Sequence, residues 1–187
     1  WEKRWFLANN SSFGLMQQAA FLCALKIIDL FEEQKLISPL VRIWCGQGNN
    51  GGDGYLIATY LAERNYQVEI IATDEPMTTD AIHARQIAHN NSIQILKQMP
   101  LSQADINIDA LYGIGLNREL DKKSQDLIQQ FNAAHGLKIA IDIPSGLHPH
   151  TGVPLPIAVK ADYTYSFIGL KTGLVIGQAQ YYVGDLQ

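Results

Sequence analysis

The sequence predicts an α/β domain of three layers, a Rossmann-like, mostly parallel sheet with helices on both faces. Short β-branched runs alternate with helical stretches along the chain. A glycine-rich segment joins the first strand to the helix that follows it. Polar residues gather just beyond three strand ends, where open sheets of this kind hold ligands. No linker, repeat or low-complexity tract divides the 187 residues, so one domain over 1–187 is expected.

Ser11 and Ser12 are N-cap candidates for a long amphipathic helix, Ser11 to Glu33, with apolar residues at helical spacing from Leu15 to Leu30. Its stretch Phe13 to Phe31 raises the question of a membrane span. Gln17, Gln18, Lys26 and Asp29 interrupt it, so it reads as the core helix of a soluble protein. Leu40 to Cys45 is a β-branched and aromatic strand that stops at Gly46, and a helical pattern resumes over Tyr55 to Glu63. Strands follow at Gln67–Thr73, near Ser92–Leu96, and at Ile106–Ala110, Leu137–Ile143 and Ala161–Phe167. Helices are expected around Asp80–His89 and Lys123–Ala134.

Composition narrows the function. With 47% hydrophobic residues and a net charge of −4, the chain has the apolar content to offset ordering entropy, which excludes disorder. Fourteen Lys and Arg against 18 Asp and Glu leave no basic excess for a nucleic acid. Cys23 and Cys45 form no CxxC pair and suit a reducing compartment, so a cytoplasmic location is expected. The chain starts at Trp1 rather than Met and reads as trimmed. Trp1 and Trp5 precede the first helix as candidates for packing on a partner chain, and a homo-oligomer is one expectation.

The three strand ends bring together Asn49, Asn50, Asp53, Asp109, Asn117, Asp142 and Ser145. Gly46-Gln-Gly-Asn-Asn-Gly51 satisfies GxGxxG after a strand, and glycines there let backbone and helix N–H groups approach an anion. Asp74 or Glu75 stands where a dehydrogenase places its ribose-binding acid. Against that reading, Asp53 lies inside the segment, where a carboxylate repels a pyrophosphate, and no Lys follows the glycines. A long turn is the plain alternative.

The strings Cys45-Gly-Gln-Gly-Asn-Asn-Gly-Gly-Asp-Gly54, Asp109-Ala-Leu-Tyr-Gly-Ile-Gly-Leu-Asn-Arg-Glu119 and Ile141-Asp-Ile-Pro-Ser-Gly-Leu147 resemble the NAD(P)H-hydrate epimerase family, the YjeF N-terminal domain. The segments Ala161–Leu174 and Gly184-Asp185 resemble its last strands. The resemblance implies an isomerase that interconverts the R and S hydrates of NADH and NADPH at C6 of the nicotinamide ring. Its implied functional partner is an NAD(P)H-hydrate dehydratase, in some relatives within the same chain. It further implies a potassium ion held by Asn50, Asp109 and Ser145. The implied substrate-binding positions are Asn49, Asn50, Gly51, Gly52 and Asp53; Gly113, Ile114, Gly115, Leu116, Asn117, Arg118 and Glu119; and Asp142.

The residues suit these roles. An amide oxygen, one carboxylate and a hydroxyl are hard donors with little charge, as a monovalent cation requires. Inversion at C6 proceeds by loss and re-addition of the hydroxyl or by ring opening, and either route needs a proton donor and acceptor. Asp142 is the expected group, with a loop-stapling acid as its alternative. Asp109 and Ser145 have turn-forming alternatives, and Arg118 either meets a phosphate or pairs with Asp121. Lys171 reads as a phosphate contact or a solvated turn lysine. Two positions depart from the family pattern: Ile114 replaces a hydroxyl-bearing Thr, and His148-Pro-His150 follows Ser-Gly-Leu, more consistent with a solvated loop than a metal site. A non-catalytic binding or scaffold module on the same fold is the competing reading, with a dehydrogenase-type domain behind it.

Overall fold

The computed structural model describes residues 11–116 and 118–187. Asn117, Trp1 and Trp5 lie outside them. Ser11 caps the first helix, its side chain accepting from the Gly14 N–H at 2.9 Å, and α1 runs Ser12–Glu33. By length and composition α1 passes for a membrane span. Its face bearing Met16, Ala20, Cys23, Ala24, Ile27 and Phe31 is instead buried in the main core.

The remaining elements are β1 (Leu40–Cys45), α2 (Asn49–Ala62), β2 (Gln67–Ile71), α3 (Thr79–Asn90), β3 (Gln94–Leu96), β4 (Ile106–Ala110), α4 (Lys122–Ala133), β5 (Leu137–Ile141), β6 (Tyr163–Tyr165) and β7 (Asp185–Leu186). All neighbouring strands pair in parallel, in the order β3-β2-β1-β4-β5-β6-β7. The buried faces of α1, α2 and α3 join one core on one side of the sheet. Trp44, Leu111, Ile128 and Phe131 form a second on the side of α4. This is the three-layer α/β/α arrangement, and burial on both faces explains why β1 reads as an apolar run broken only by Arg42. The strand order reverses between β1 and β4, so the crevice for a ligand opens beyond the ends of those two strands.

The largest difference from the sequence reading is where α2 begins. The pattern placed the helix start at Tyr55, but the helix takes in Asn49-Asn-Gly-Gly-Asp-Gly54, residues with poor helix propensity. Packing overrides propensity here. A Cβ on Gly51 would lie 2.0 Å from the Gly46 carbonyl oxygen, and one on Gly54 would lie 2.6 Å from the Ala110 Cβ. Only glycines let the helix press this closely on the strand ends. The strand expected over Ala161–Phe167 shortens to Tyr163–Tyr165 because its last residues turn toward the crevice.

Candidate active site

A cleft of about 920 Å³ occupies the crevice, a size suited to a substantial small-molecule ligand. The start of α2 forms its floor with Asn49, Asn50 and Asp53, and the segment after β4 forms a wall from Leu111 to Leu116 with Arg118. Asp142, Phe167 and Lys171 close the far side, and Leu15, Met16 and Ala19 of α1 add an apolar edge. The N-cap of α2 is Gly48, which provides no side-chain cap, and a Cβ there would meet nothing within 4 Å. First-turn amides of α2 therefore border open space, as anion recognition requires.

Not every expected residue reaches the cleft. Gly51 is pressed on the Gly46 carbonyl and Gly52 on the Met16 side chain, so both serve helix packing. Glu119 is exposed outside the cleft lining. Ile114 is 56% exposed on the cleft wall. His148 Nδ1 accepts from the backbone N–H groups of His150 and Thr151 at 3.2 and 3.3 Å, capping its own turn.

Beneath the cleft, Asp109 is wholly buried at the end of β4. Its Oδ1 accepts from the Ser145 hydroxyl at 2.6 Å and the Leu111 N–H at 3.1 Å, and its Oδ2 accepts from the Ser145 N–H at 2.7 Å. The Ser145 Oγ also accepts from the Tyr112 N–H at 2.8 Å. Burial pushes the Asp109 carboxyl up to about 6, although the bonds from Ser145 and Leu111 pull the other way. Asn50 is buried next to Gly113, and its Nδ2 has no hydrogen-bond partner among the described residues. The amide is thus free to present its oxygen instead. Amide, carboxylate and hydroxyl, with no basic side chain bonded to Asp109 among the described residues, fit a monovalent cation.

Asp142 leaves β5 in the left-handed region at φ 67°, a conformation Asp tolerates better than most residues. Its backbone N–H donates to the Tyr165 carbonyl at 2.7 Å. Its Oδ1 accepts from the Phe167 N–H at 3.3 Å and is ion-paired with the Lys171 ammonium. Lys171 also donates to the Phe167 carbonyl at 2.7 Å and the Ser166 hydroxyl at 3.2 Å. The sequence reading missed this pair. The two side chains stand 29 positions apart, and only the pairing of β5 with β6 brings their loops together.

Asp53 and Asp80 are the other acids that line the cleft. Burial pushes the Asp53 carboxyl well above the usual carboxylate range, and the charge of Asp142 pushes the same way, while Lys171 opposes both. That upward shift weakens the objection that its charge would repel a phosphate.

The sequence profile of the YjeF-related protein N-terminus matches residues 12–173. The chain belongs to that family. YjeF-related relatives include a protein of Limosilactobacillus fermentum named NAD(P)H-hydrate epimerase, 41% identical over 77% of this chain and 71% of its own length. Another of that name, from Lentilactobacillus buchneri, is 36% identical over 94% of this chain and 81% of its own. The bifunctional NAD(P)H-hydrate repair enzyme of Escherichia coli is 36% identical over 79% of this chain, which spans only 30% of that longer protein. The crystal structure of yeast YNL200c superposes with a TM-score of 0.78 at 17% identity, covering 89% of this chain and 75% of the yeast one. That likeness supports the YjeF-related fold alone.

Proposed function

We propose that the chain interconverts the R and S hydrates of NADH and NADPH at C6 of the nicotinamide ring. This restores to a partner dehydratase the epimer it consumes. One observation carries the reading: the cleft at the β1–β4 switch point holds Asn49, Asn50, Asp53 and Asp142 in a chain that aligns over most of two proteins named NAD(P)H-hydrate epimerase. The open amides of α2 and the Arg118 guanidinium suit the substrate's phosphates. Asp142, on the opposite wall, is the candidate for proton transfer at C6. The test starts from a separated R hydrate and follows its conversion by chromatography. No conversion by the folded protein in potassium buffer overturns the reading in favour of a binding module.

Asn50, Asp109 and Ser145 are the residues that would hold potassium. Bound there, the ion would supply a fixed positive charge that offsets Asp109 beside an anionic substrate. Thermal unfolding above pH 7 in potassium and in tetramethylammonium salts tests this apart from activity. Equal midpoints would exclude an ion at this position. Apolar side chains exposed beside the cleft, Leu22, Ile168 and Leu170, suit self-association, which sedimentation would register. Buried free Cys23 and Cys45 suit the reducing cytoplasm.

A further inference from the structure

Of the three carboxyl groups that line the cleft, Asp53, Asp80 and Asp142, the first and last stand in unlike surroundings. Asp142 is paired with the Lys171 ammonium. Asp53 projects from α2 into the same cleft, and no side-chain hydrogen bond to another described residue holds it. Asp80 of α3 and Arg118 line the same cleft, and the charged or titratable groups that interact with Asp53 are Asp142 and Lys171 across the cleft, Cys45 at the end of β1 and Cys23 on α1. Both thiols are buried, where burial and the proximity of Asp53 keep them protonated. Lys171 is the one cation in that set, and its ammonium is already engaged by Asp142 and by two oxygens of its own loop. Asp53 therefore lacks a countercharge of its own. One acid without a hydrogen-bonded side-chain partner among the described residues and one paired with a lysine thus share the cleft, the arrangement of an acid–base pair.

We propose that Asp53 is the proton donor to the substrate's C6 hydroxyl, working with Asp142 as the proton acceptor and Lys171 as the positioning residue that keeps Asp142 aimed. This rests on the hydrate-epimerase reading above. Asp53 gives its proton to the hydroxyl oxygen, the C6–O bond breaks with its electron pair leaving on water, and the ring-nitrogen lone pair forms the iminium. A water then adds to the other face of C6, forming the new C–O bond, and its surplus proton passes to the Asp142 carboxylate. The substrate gains and loses one proton and one water, so only its configuration changes. The two acids regain their starting states by exchange with solvent, and the reverse reaction runs through the same groups. Phe167 and the apolar edge of α1 border the site.

The experiment compares wild type, Asp53→Asn, Asp53→Glu and Lys171→Arg on a separated R hydrate, measuring kcat, KM and the pH dependence of kcat. Asp53→Asn is expected to lower kcat by about 100-fold or more with KM changed by about threefold at most. It should also remove the alkaline decline that marks loss of the donor's proton in wild type. Asp53→Glu restores part of the rate, and Lys171→Arg, which keeps the ion pair, retains most of it. An active wild type alongside an Asp53→Asn variant that keeps more than about a third of its kcat overturns the proposal. An inactive wild type overturns the epimerase reading instead. Should Asp53→Asn fail to fold, the wild-type profile decides: a kcat that stays level into the alkaline range refutes Asp53 as donor.

Discussion

Replacing Ser145 with Ala tests whether the strand ends are held together by the buried Asp109 cluster. The hydroxyl makes a 2.6 Å bond to the Asp109 carboxyl and accepts the Tyr112 N–H at 2.8 Å. A bond to a charged group contributes about 1.5–3 kcal/mol, and a part-buried N–H left without an acceptor costs about 1 kcal/mol or more. Together these give an expected loss of about 3 kcal/mol, or a melting point lower by about 6–12 °C for a chain of this size. The pH dependence makes the test sharper. Ser145 bonds stabilise the ionised form of Asp109, whose carboxyl stands at about 6 in the folded protein. Below about pH 4 the group is protonated in folded and unfolded chains alike, so the charged part of the loss disappears there. Above pH 6 it is felt in full. Urea unfolding in potassium-free buffer at both ends of that range supplies the two numbers. A loss below about 1 kcal/mol at neutral pH, or one that does not grow with pH, refutes the account.

Three further outcomes follow from the packing. Because the Asp109 carboxyl is raised, the folded chain holds that proton more tightly than the unfolded chain. Its contribution to stability therefore declines as pH rises from about 4 through 6, by about 3 kcal/mol in potassium-free buffer, and potassium should restore part of it. Gly54→Ala puts a Cβ 2.6 Å from the Ala110 Cβ and 2.8 Å from the Cys45 Sγ, and should cost about 1–3 kcal/mol in urea unfolding. Gly115→Ala, whose Cβ meets nothing within 4 Å, is the near-neutral control. Arg42→Met strands Glu69, now paired at 2.5 Å with a nearly fully buried guanidinium, and should cost about 3–5 kcal/mol. The double variant Arg42→Met/Glu69→Leu should recover most of that loss, since no unpaired charge remains.

The strand–helix alternation was legible because β1, β4 and β5 are short runs rich in β-branched and other apolar residues, and because Ser11 caps α1 as its position suggested. The start of α2 was not legible. Asn-Asn-Gly-Gly-Asp-Gly is a poor helix by local preference, and the contacts that favour it are with Gly46 and Ala110, both outside the helix. For the site, the glycine segment and the strand-end acids pointed to the right crevice, since a parallel sheet exposes its strand ends there. The state of those acids depends on partners distant in sequence. Nothing near Asp142 announces Lys171, and nothing near Asp53 announces the buried setting that raises its carboxyl above the usual range.

The Lys171 pair also bears on how substrate binding responds to ionic strength. Its ammonium donates to Asp142, to the Phe167 carbonyl and to the Ser166 hydroxyl, so its three hydrogens are spent within the protein. That wall of the cleft carries a lysine yet offers a dinucleotide almost no net positive charge. The attraction open to the phosphates comes from the exposed Arg118 and from the amides at the start of α2. Added salt screens the exposed guanidinium far more than an internal pair. Affinity should therefore show the shallow salt dependence of a single exposed cation, and the chain should discriminate among anions by geometry more than by charge.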